Sequence, residues 1–551
     1  MCGIAGIVDR NSTLPQVNGQ ILKSMSDVIT HRGPDADGQW ISEERQCGLA
    51  FRRLAIIDLS PAGNQPMSTS DGRFTIVFNG EIYNHESIRK ELIAKGYKYN
   101  SKTDTETILY GYQEWGPAIL EKMLGMWGLA IWDDHKKELF IARDRIGIKP
   151  LYYTFQQGKF LFGSEIKSIL RHPAIVPELN LEQLPNYLNF GMTGCESLFQ
   201  DIHKLAPGHY LILDKNNHIK SERYWSPLKP EMQYSDLTET EIHGEVLRML
   251  KQSIKDRMMS DVPFGVFLSG GIDSSLNVAL MAELMNRPID TFTVGFKELE
   301  KYNELDYARK IAKLYKTNHH EILIDHKDVF PILEDLPWYE DEPNGDPVCM
   351  PLYFLSKLTR DSGTIVIQVG EGSDEQFVGY KWMLREYNFY RSYWKFFKAL
   401  PKSARKASYS ALKPFMKSPS QLLALDYFRR GANDNELYWS GVSHFAPTQQ
   451  QKLFSPKYRY LTDNPAKHAQ FLHSEALSIN ADSDYLQRIA YAEFRQRLPE
   501  LLLMRVDKIG MAHSIEARVP FLDHRLVEFT MTLPPHIKVP DKSITKYVLK
   551  K

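Results

Sequence analysis

Met1-Cys2-Gly3-Ile4-Ala5-Gly6-Ile7-Val8 opens the chain. A cysteine in second place becomes the first residue once the initiator Met is trimmed. Its thiol and a free α-amine then belong to one residue. The amine titrates at roughly 7.7–8.0 and the thiol at about 8.5, so near neutral pH a useful fraction of the amine can act as base. Nucleophile and base come together, as N-terminal nucleophiles require. Gly3 to Val8 reads as an apolar strand. Position two alone fits an inert buried cysteine equally well, so the sequence downstream decides between the two.

The chain has 551 residues, more than one ordinary core accommodates, and two large domains are expected. Lys+Arg and Asp+Glu balance at 68 each, so no global charge points to nucleic acid or to an anionic membrane. The four cysteines, Cys2, Cys47, Cys195 and Cys349, are too scattered for a disulfide framework or a zinc site. They read, apart from Cys2, as buried small residues in a reducing compartment. No apolar run approaches a membrane span, and Asp9 and Arg10 break the apolar start before it reaches signal-peptide length. A cytoplasmic location is the expectation.

Residues 1–225 read as many short strands with few helices. Phe74 to Phe78 is a strand ending in Asn79-Gly80. Leu129–Trp132 and Glu138–Ala142 flank Asp133-Asp134 as a hairpin. Helices are expected over Glu86–Lys95 and Thr105–Tyr112, the second capped by Thr103 or Asp104. Four polar clusters interrupt this pattern: His31-Arg32-Gly33-Pro34-Asp35, Arg53 to Asp58, Asn79 to Asn84, and Thr103 to Glu106. Hydrolysis of an amino-acid amide needs such groups. An arginine fork matches an α-carboxylate, a carboxylate matches an α-ammonium, and N–H donors meet the developing oxyanion. A bare Asn-Gly is more often only a turn.

As a set, these segments resemble the class II glutamine amidotransferases, over most of residues 1–170. The resemblance implies an N-terminal-nucleophile αββα sandwich. It implies Cys2 as nucleophile, Asn79 and Gly80 as the oxyanion hole, Arg53 as ligand of the glutamine carboxylate, and Asn79, Glu81 and Asp104 among the glutamine-binding residues.

Past Trp225 the composition changes. Residues 229–242 read as a linker and Ile242–Met258 as a helix. Val262 to Leu268 is a strand, Ser269-Gly270-Gly271-Ile272-Asp273-Ser274-Ser275 a glycine loop, and Leu276–Met285 a helix. Glycines let backbone approach phosphate, and a helix N-terminus offers it N–H groups. The loop lacks the Gly-Lys-Ser/Thr ending of a Walker motif. Asp273 is an odd neighbour for bare phosphate and a sensible one if Mg²⁺ lies between. Further strands are expected at Thr291–Phe296 and Ile365–Val369. The latter runs into Gly370-Glu371-Gly372-Ser373-Asp374-Glu375, at the strand end where open α/β sheets bind ligands.

The SGGIDSS loop resembles that of the ATP pyrophosphatases. With the N-terminal module it resembles the glutamine-hydrolysing asparagine synthetases over nearly the whole chain. That resemblance implies α/β and α+β architecture in two domains. These are a glutaminase over 1–225 and an ATP-pyrophosphatase-like parallel-sheet domain over 226–551, the latter with a helical insertion near 381–460. It implies ATP contacts from Leu268, Ser269, Gly270, Gly271, Asp273, Ser274, Val294, Gly295, Gly370 and Glu371, and Mg²⁺ held through pyrophosphate by Asp273 and Asp374. The reaction implied is amidation of aspartate to asparagine through β-aspartyl-AMP, with AMP, pyrophosphate and glutamate released. Ammonia set free in water near pH 7 would be mostly protonated, and an internal passage, which the family is known for, avoids that loss. Glutamine, aspartate and ATP are the expected partners, with a homodimer plausible and no nucleic acid or membrane.

Arg505, Asp507 and Arg518, charges set in an apolar stretch, are expected first at a domain interface. The chain stops in what reads as mid-helix, and none of Lys542, Lys546, Lys550 and Lys551 has the sequence context of the family's acyl-transfer lysine. Residues 381–430 carry twelve Lys/Arg against Glu386 and Asp426, with Tyr387, Phe389, Tyr390 and Trp394 interleaved. That mixture fits RNA binding. A helical surface insertion with its aromatics turned inward is the preferred reading. His319-His320-Glu321 has no partner at zinc spacing. The rival functions are amidation of another carboxylate, such as a sugar acid or secondary-metabolite intermediate, a non-catalytic ATP- or glutamine-binding protein, and an RNA-modifying pyrophosphatase.

Overall fold

Ile4 and Val8 turn to one side of the strand Gly3–Asp9, and Ala5 and Ile7 to the other. Neither side is polar, so this strand must be covered on both faces. The computed structural model, which describes residues 2–10, 17–298, 303–441 and 443–551, shows how. Gly3–Asp9 lies inside a six-stranded antiparallel sheet ordered His203–Lys204, Tyr152–Gln156, Lys159–Gly163, Gly3–Asp9, Cys47–Arg53 and Ala36–Ile41. A second antiparallel sheet runs Ile219–Arg223, His209–Leu213, Glu138–Arg143, Gly125–Asp133, Phe74–Ile82 and Met67–Ser68.

Ile4, Val8, Phe51, Val77, Trp132, Ile141 and Phe162 fill the space between the two sheets. Ala5, Ile7 and Leu161 pack outward on Leu22 and Met25 of the helix Gly19–Asp27. Ile76, Phe78, Leu129, Ile131 and Phe140 pack outward on Ile88 and Leu92 of His85–Ala94 and Ile108 and Leu109 of Asp104–Trp115. The result is the expected αββα sandwich. Period-two alternation sends each strand's residues to two different apolar layers, each large side chain contributing about 1.5–3 kcal/mol of burial. The expected hairpin is present, with Asp133 paired to Glu138. Thr103 caps its helix by accepting the Glu106 N–H at 3.3 Å.

The third sheet is wholly parallel, in the order Asn318–Ile324, Asp290–Phe296, Phe264–Phe267, Val366–Gln368, Glu516–Arg518. The chain moves outward in one direction from Phe264–Phe267 and then restarts on its other side with Val366–Gln368. That reversal makes a crevice at the strand C-termini between these two strands. The helix expected from Ile242 starts earlier, at Glu239, because Thr238 and Glu241 form a capping box. Between Gln368 and Glu516 the chain leaves the sheet for a helical layer before returning with its last strand.

The antiparallel sandwich and the parallel sheet meet through buried ion pairs. Arg32 bonds Glu165 at 2.9 Å and Asp507 at 2.7 Å, Arg143 bonds Glu500 at 3.0 Å, and Lys167 and Lys508 both reach Asp341 at 2.8 Å. Asp507 also faces Lys149 at 3.4 Å. The interface role expected for Asp507 is therefore observed. Cys47 and Cys349 are buried as expected, whereas Cys195 is only half-buried.

Candidate active sites

Cys2 stands at the entry to Gly3–Asp9, half-buried between the strands that carry Arg53 and Asn79. Its backbone N–H donates to Asn79 Oδ1 at 2.9 Å, and its thiol lies 3.8 Å from the Leu54 carbonyl. Asn79 is fully buried, and its Nδ2 has no acceptor among the described residues. With Oδ1 occupied, that amide keeps a donor for an incoming oxygen. Gly80 follows, and a Cβ there would fall 2.0 Å from the Met126 carbonyl, so no larger residue fits this strand pairing. Burial pushes the Cys2 thiol up, and the nearby Glu516 and Glu81 carboxylates add to the push.

Glu81 and Asp104 come together as predicted. Asp104 accepts the Ile82 N–H at 2.9 Å, and both carboxyls are buried. Burial raises Glu81 well above the usual range, with Glu516 and Asp104 reinforcing it. Burial also raises Asp104, against the opposing pull of His85 and two backbone N–H groups. Two buried acids held up in this way favour a cationic ligand. Arg518, reaching across from the parallel sheet, stops 3.7 Å from Glu81 and is itself engaged by Glu516. Burial would raise Glu516, but positive charges, Arg518 and Lys149 among them, pull it down to about 2.

Arg53 sits at the end of Cys47–Arg53 with its terminal nitrogens committed to one loop. Nη1 donates to the Ser60 carbonyl and to Asn64 Oδ1, each at 2.8 Å, and Nη2 donates to the Asp58 carbonyl. A Cβ on Gly63 would strike this guanidinium. The loop therefore fixes the fork, and a carboxylate ligand must share it with Asn64.

Arg32 was seen in sequence only as part of a cluster. It is fully buried, and its Nε donates to the Cys2 carbonyl at 3.2 Å while its two ends hold Glu165 and Asp507. The signal available was only its place in the His31-Arg32-Gly33-Pro34-Asp35 cluster. What it pairs with lies 475 positions away in the chain, beyond any local pattern.

The second site fills the crevice of the parallel sheet, a cavity of about 440 Å³. Leu268, Ser269, Asp273, Ser274, Val294, Gly370, Glu371 and Asp374 line it, as expected from sequence. Gly270 adopts φ +79° beneath Tyr307, and Gly271 starts the helix Ile272–Leu284. These two shape the loop without lining the cavity. Gly295 is not among the lining residues either: a Cβ there would lie 2.6 Å from Leu305, so this glycine admits the helix Leu305–Tyr315. Glu304, Leu352, Leu355 and Arg505 line the cavity and were not expected there. Arg505 bridges Asp346 and Glu371, the latter at 2.6 Å. Burial raises the Glu304 carboxyl.

Lys546 also reaches this site, which its sequence context did not indicate. Its ammonium bonds both Asp273 and, at 2.9 Å, Asp374. The residue has φ +51°, and Gly379 leaves room for it, since a Cβ there would lie 2.4 Å from Lys546 Cε. The sequence reading missed it because a reversal after the sheet, not a local motif, brings it back to the phosphate-type loop. Burial raises Asp374, with Lys546 opposing and Asp273 and Glu371 adding to the rise. Among the described residues no group of three or more His, Cys, Asp or Glu side chains is arranged to hold a metal by itself.

The comparisons with known proteins agree with this division of labour. The family described as glutamine amidotransferase domain matches residues 1–225, and the family described as asparagine synthase matches residues 245–551. The chain belongs to the glutamine-hydrolysing asparagine synthetase family. Asparagine synthetase 1 of Bacillus subtilis (strain 168) is 31% identical, with 100% of this chain and 84% of that protein aligned. A putative asparagine synthetase of Mycobacterium bovis is 30% identical over 100% of this chain and 84% of the relative. A protein named amidase chry2, from Gibberella zeae, is 30% identical over 98% and 83%. Members of this family are glutamine-dependent ligases, and the asparagine synthase domain implies use of ATP. Among the described residues no helix is long and apolar enough to cross a membrane.

Proposed function

We propose that the chain converts aspartate to asparagine with ammonia from glutamine, in two half-sites that divide it into 1–225 and 226–551. The observation that carries the reading is that both residue sets occur in one chain and are tied by the single helix Met504–Met511. That helix puts Arg505 in the nucleotide-type cavity and Asp507 on the arginine that holds Cys2.

In the first half-reaction Cys2 Sγ adds to the side-chain amide carbon of glutamine. The C–N bond breaks, ammonia departs, and water cleaves the thioester to glutamate and free thiol. Asn79 Nδ2 and the Gly80 N–H meet the oxyanion. Glu81 and Asp104 take the α-ammonium, and Arg53 takes the α-carboxylate beside Asn64. In the second, a carboxylate oxygen of aspartate adds to the α-phosphorus of ATP and pyrophosphate leaves. Ammonia then attacks the acyl carbon and AMP departs.

Ser269, the helix start at Ile272 and Lys546 neutralise the phosphates. Asp273 and Asp374 present only carboxylate oxygens, the donor type that suits Mg²⁺ shared with pyrophosphate. Mg²⁺ bound there would stabilise charge on the leaving pyrophosphate. Lys546, already between these two aspartates, would offset their repulsion of it.

A second acceptor remains in view because one similar protein is named an amidase. The test uses purified protein with ATP, Mg²⁺ and glutamine, with aspartate present or left out. Pyrophosphate, AMP and asparagine are followed. Aspartate-dependent pyrophosphate with asparagine supports the proposal. Glutamate release with no aspartate-dependent pyrophosphate refutes aspartate and directs the search to other carboxylates. Cys2→Ala should lose glutamine-dependent synthesis and keep the ammonia-dependent reaction, and loss of both would argue against separable sites.

A further inference from the structure

The basic stretch near residue 390 splits in two once its side chains are placed. The aromatics first noticed in it are internal: Tyr387 and Trp394 are buried, and Tyr390 stacks on Tyr485 with ring centroids 3.6 Å apart. Others point out. The helical run 381–399 carries Tyr393 and Phe396, 66% and 71% exposed, and the turn after it carries Leu400. Tyr393 and Phe396 stand at i and i+3 on this run, and Leu400 follows just past its end. Beyond the helix Lys402–Leu412, Phe415 is 79% exposed. Side chains left this free protrude and do not line a groove.

Charge follows the same division. The two acids of residues 381–430 are withdrawn: Glu386 is buried beside Tyr427, and Asp426 is buried between Arg429 and Arg430. Asp434 pairs with Lys398, Lys402 and Arg405, one carboxylate against three cations. Arg391, Lys395, Lys406, Lys413 and Lys417 are exposed, and among the described residues they form no ion pair. Protruding aromatic and aliphatic side chains among unpaired cations are the features of an element that lies on an anionic bilayer.

We infer that this face, formed by residues 391–417, docks the enzyme peripherally on an anionic lipid surface. This runs against the sequence expectation of no membrane partner, which rested on overall charge balance. A second copy is a poor occupant, since a two-fold contact would set these cations against themselves. Single-stranded RNA fits less well than lipid, because stacking uses aromatic platforms along a groove, whereas these side chains protrude and include Leu400.

The test is flotation of the full-length protein with vesicles of phosphatidylcholine alone or mixed with phosphatidylglycerol, at low and high salt. Binding to the anionic vesicles only, lost at high salt, is expected. Lys406→Gln, Lys413→Gln and Lys417→Gln together should weaken it on the order of a hundredfold, taking each exposed cation at the usual value near a charged surface. Phe396→Ser with Phe415→Ser should weaken it at least tenfold. All five residues lie outside both active sites, so glutaminase activity in solution should stay unchanged and reports intact folding. Absence of vesicle binding, equal binding to neutral vesicles, or indifference to these substitutions overturns the inference. So does retention of single-stranded RNA by a protein that ignores vesicles, or a solution dimer that the same substitutions dissociate.

Discussion

Replacing Asp507 with alanine should damage a site whose nucleophile it never touches. The carboxylate is 2% exposed and accepts from Arg32 at 2.7 Å, with Lys149 at 3.4 Å. Removing it leaves a fully buried guanidinium that retains Glu165 but has lost half its counter-charge. Removing one member of a buried pair costs about 3–5 kcal/mol. The surviving Glu165 contact at 2.9 Å puts this case at the lower end, about 3 kcal/mol. Spread over 551 residues that unfold cooperatively, a loss of this size lowers the thermal midpoint by roughly 2–3 °C. Arg32 Nε also holds the Cys2 carbonyl at 3.2 Å, so glutaminase kcat should fall about tenfold, the equivalent of about 1.4 kcal/mol. Calorimetry and glutamate release measure the two effects. In a double-mutant cycle with Arg32→Ala, the effects should fall short of additive by about 2 kcal/mol. An Asp507→Ala protein with an unchanged midpoint and unchanged glutaminase rate would refute the argument that this ion pair supports the nucleophile.

Lys546→Ala should reduce pyrophosphate release at least a hundredfold through loss of a cation at the phosphate-type site, with Lys546→Arg partly active and glutamate release unaffected. Arg53→Ala should raise the KM for glutamine tenfold or more and leave ammonia-dependent synthesis intact, since a charged hydrogen bond contributes about 1.5–3 kcal/mol. Burial pushes the Glu375 carboxyl up to about 8, with Arg497 opposing. The folded state therefore binds more protons than the unfolded state between the ordinary carboxylate range and that value. Stability contributed by the protonated form is lost as pH rises through this window. Glu375→Gln should remove that slope, so urea midpoints of the two proteins should diverge in favour of the variant as pH increases, and parallel curves would count against a raised carboxyl.

The αββα layering was expected from resemblance, whereas the individual strands and the glycine loop at the parallel crevice were legible as short-range signals. Alternating apolar strands and the strand–glycine loop–helix from Val262 to Met285 each carry their meaning within a few residues, whereas the strand expected to end at Asn79-Gly80 runs on through them to Ile82. Cys2, Asn79, Glu81 and Asp104 converged as expected, although their roles were reached by resemblance more than by spacing. What escaped was long-range. Arg32 takes Asp507, one of its partners, from the far end of the chain, and Lys546 returns to Asp273 from 273 positions away. The packing of Gly295 beneath Leu305 escaped because a glycine next to a ligand and a glycine beneath a packing leucine look alike in sequence. Tyr393, Phe396 and Phe415 were passed over because composition does not say which aromatic of a cluster turns outward.

The helix Met504–Met511 is only eight residues long, and Arg505 and Asp507 are two positions apart on it, about 3 Å along its axis. A rigid element that short has no means of moving one end alone. A nucleotide that shifted this helix through Arg505 would also shift the support of Arg32 and Cys2. Binding at the two sites is then linked by a single free energy. The factor by which nucleotide alters glutamine affinity must equal the factor by which glutamine alters nucleotide affinity. Two titrations, each with the other ligand present or absent, would give that number twice.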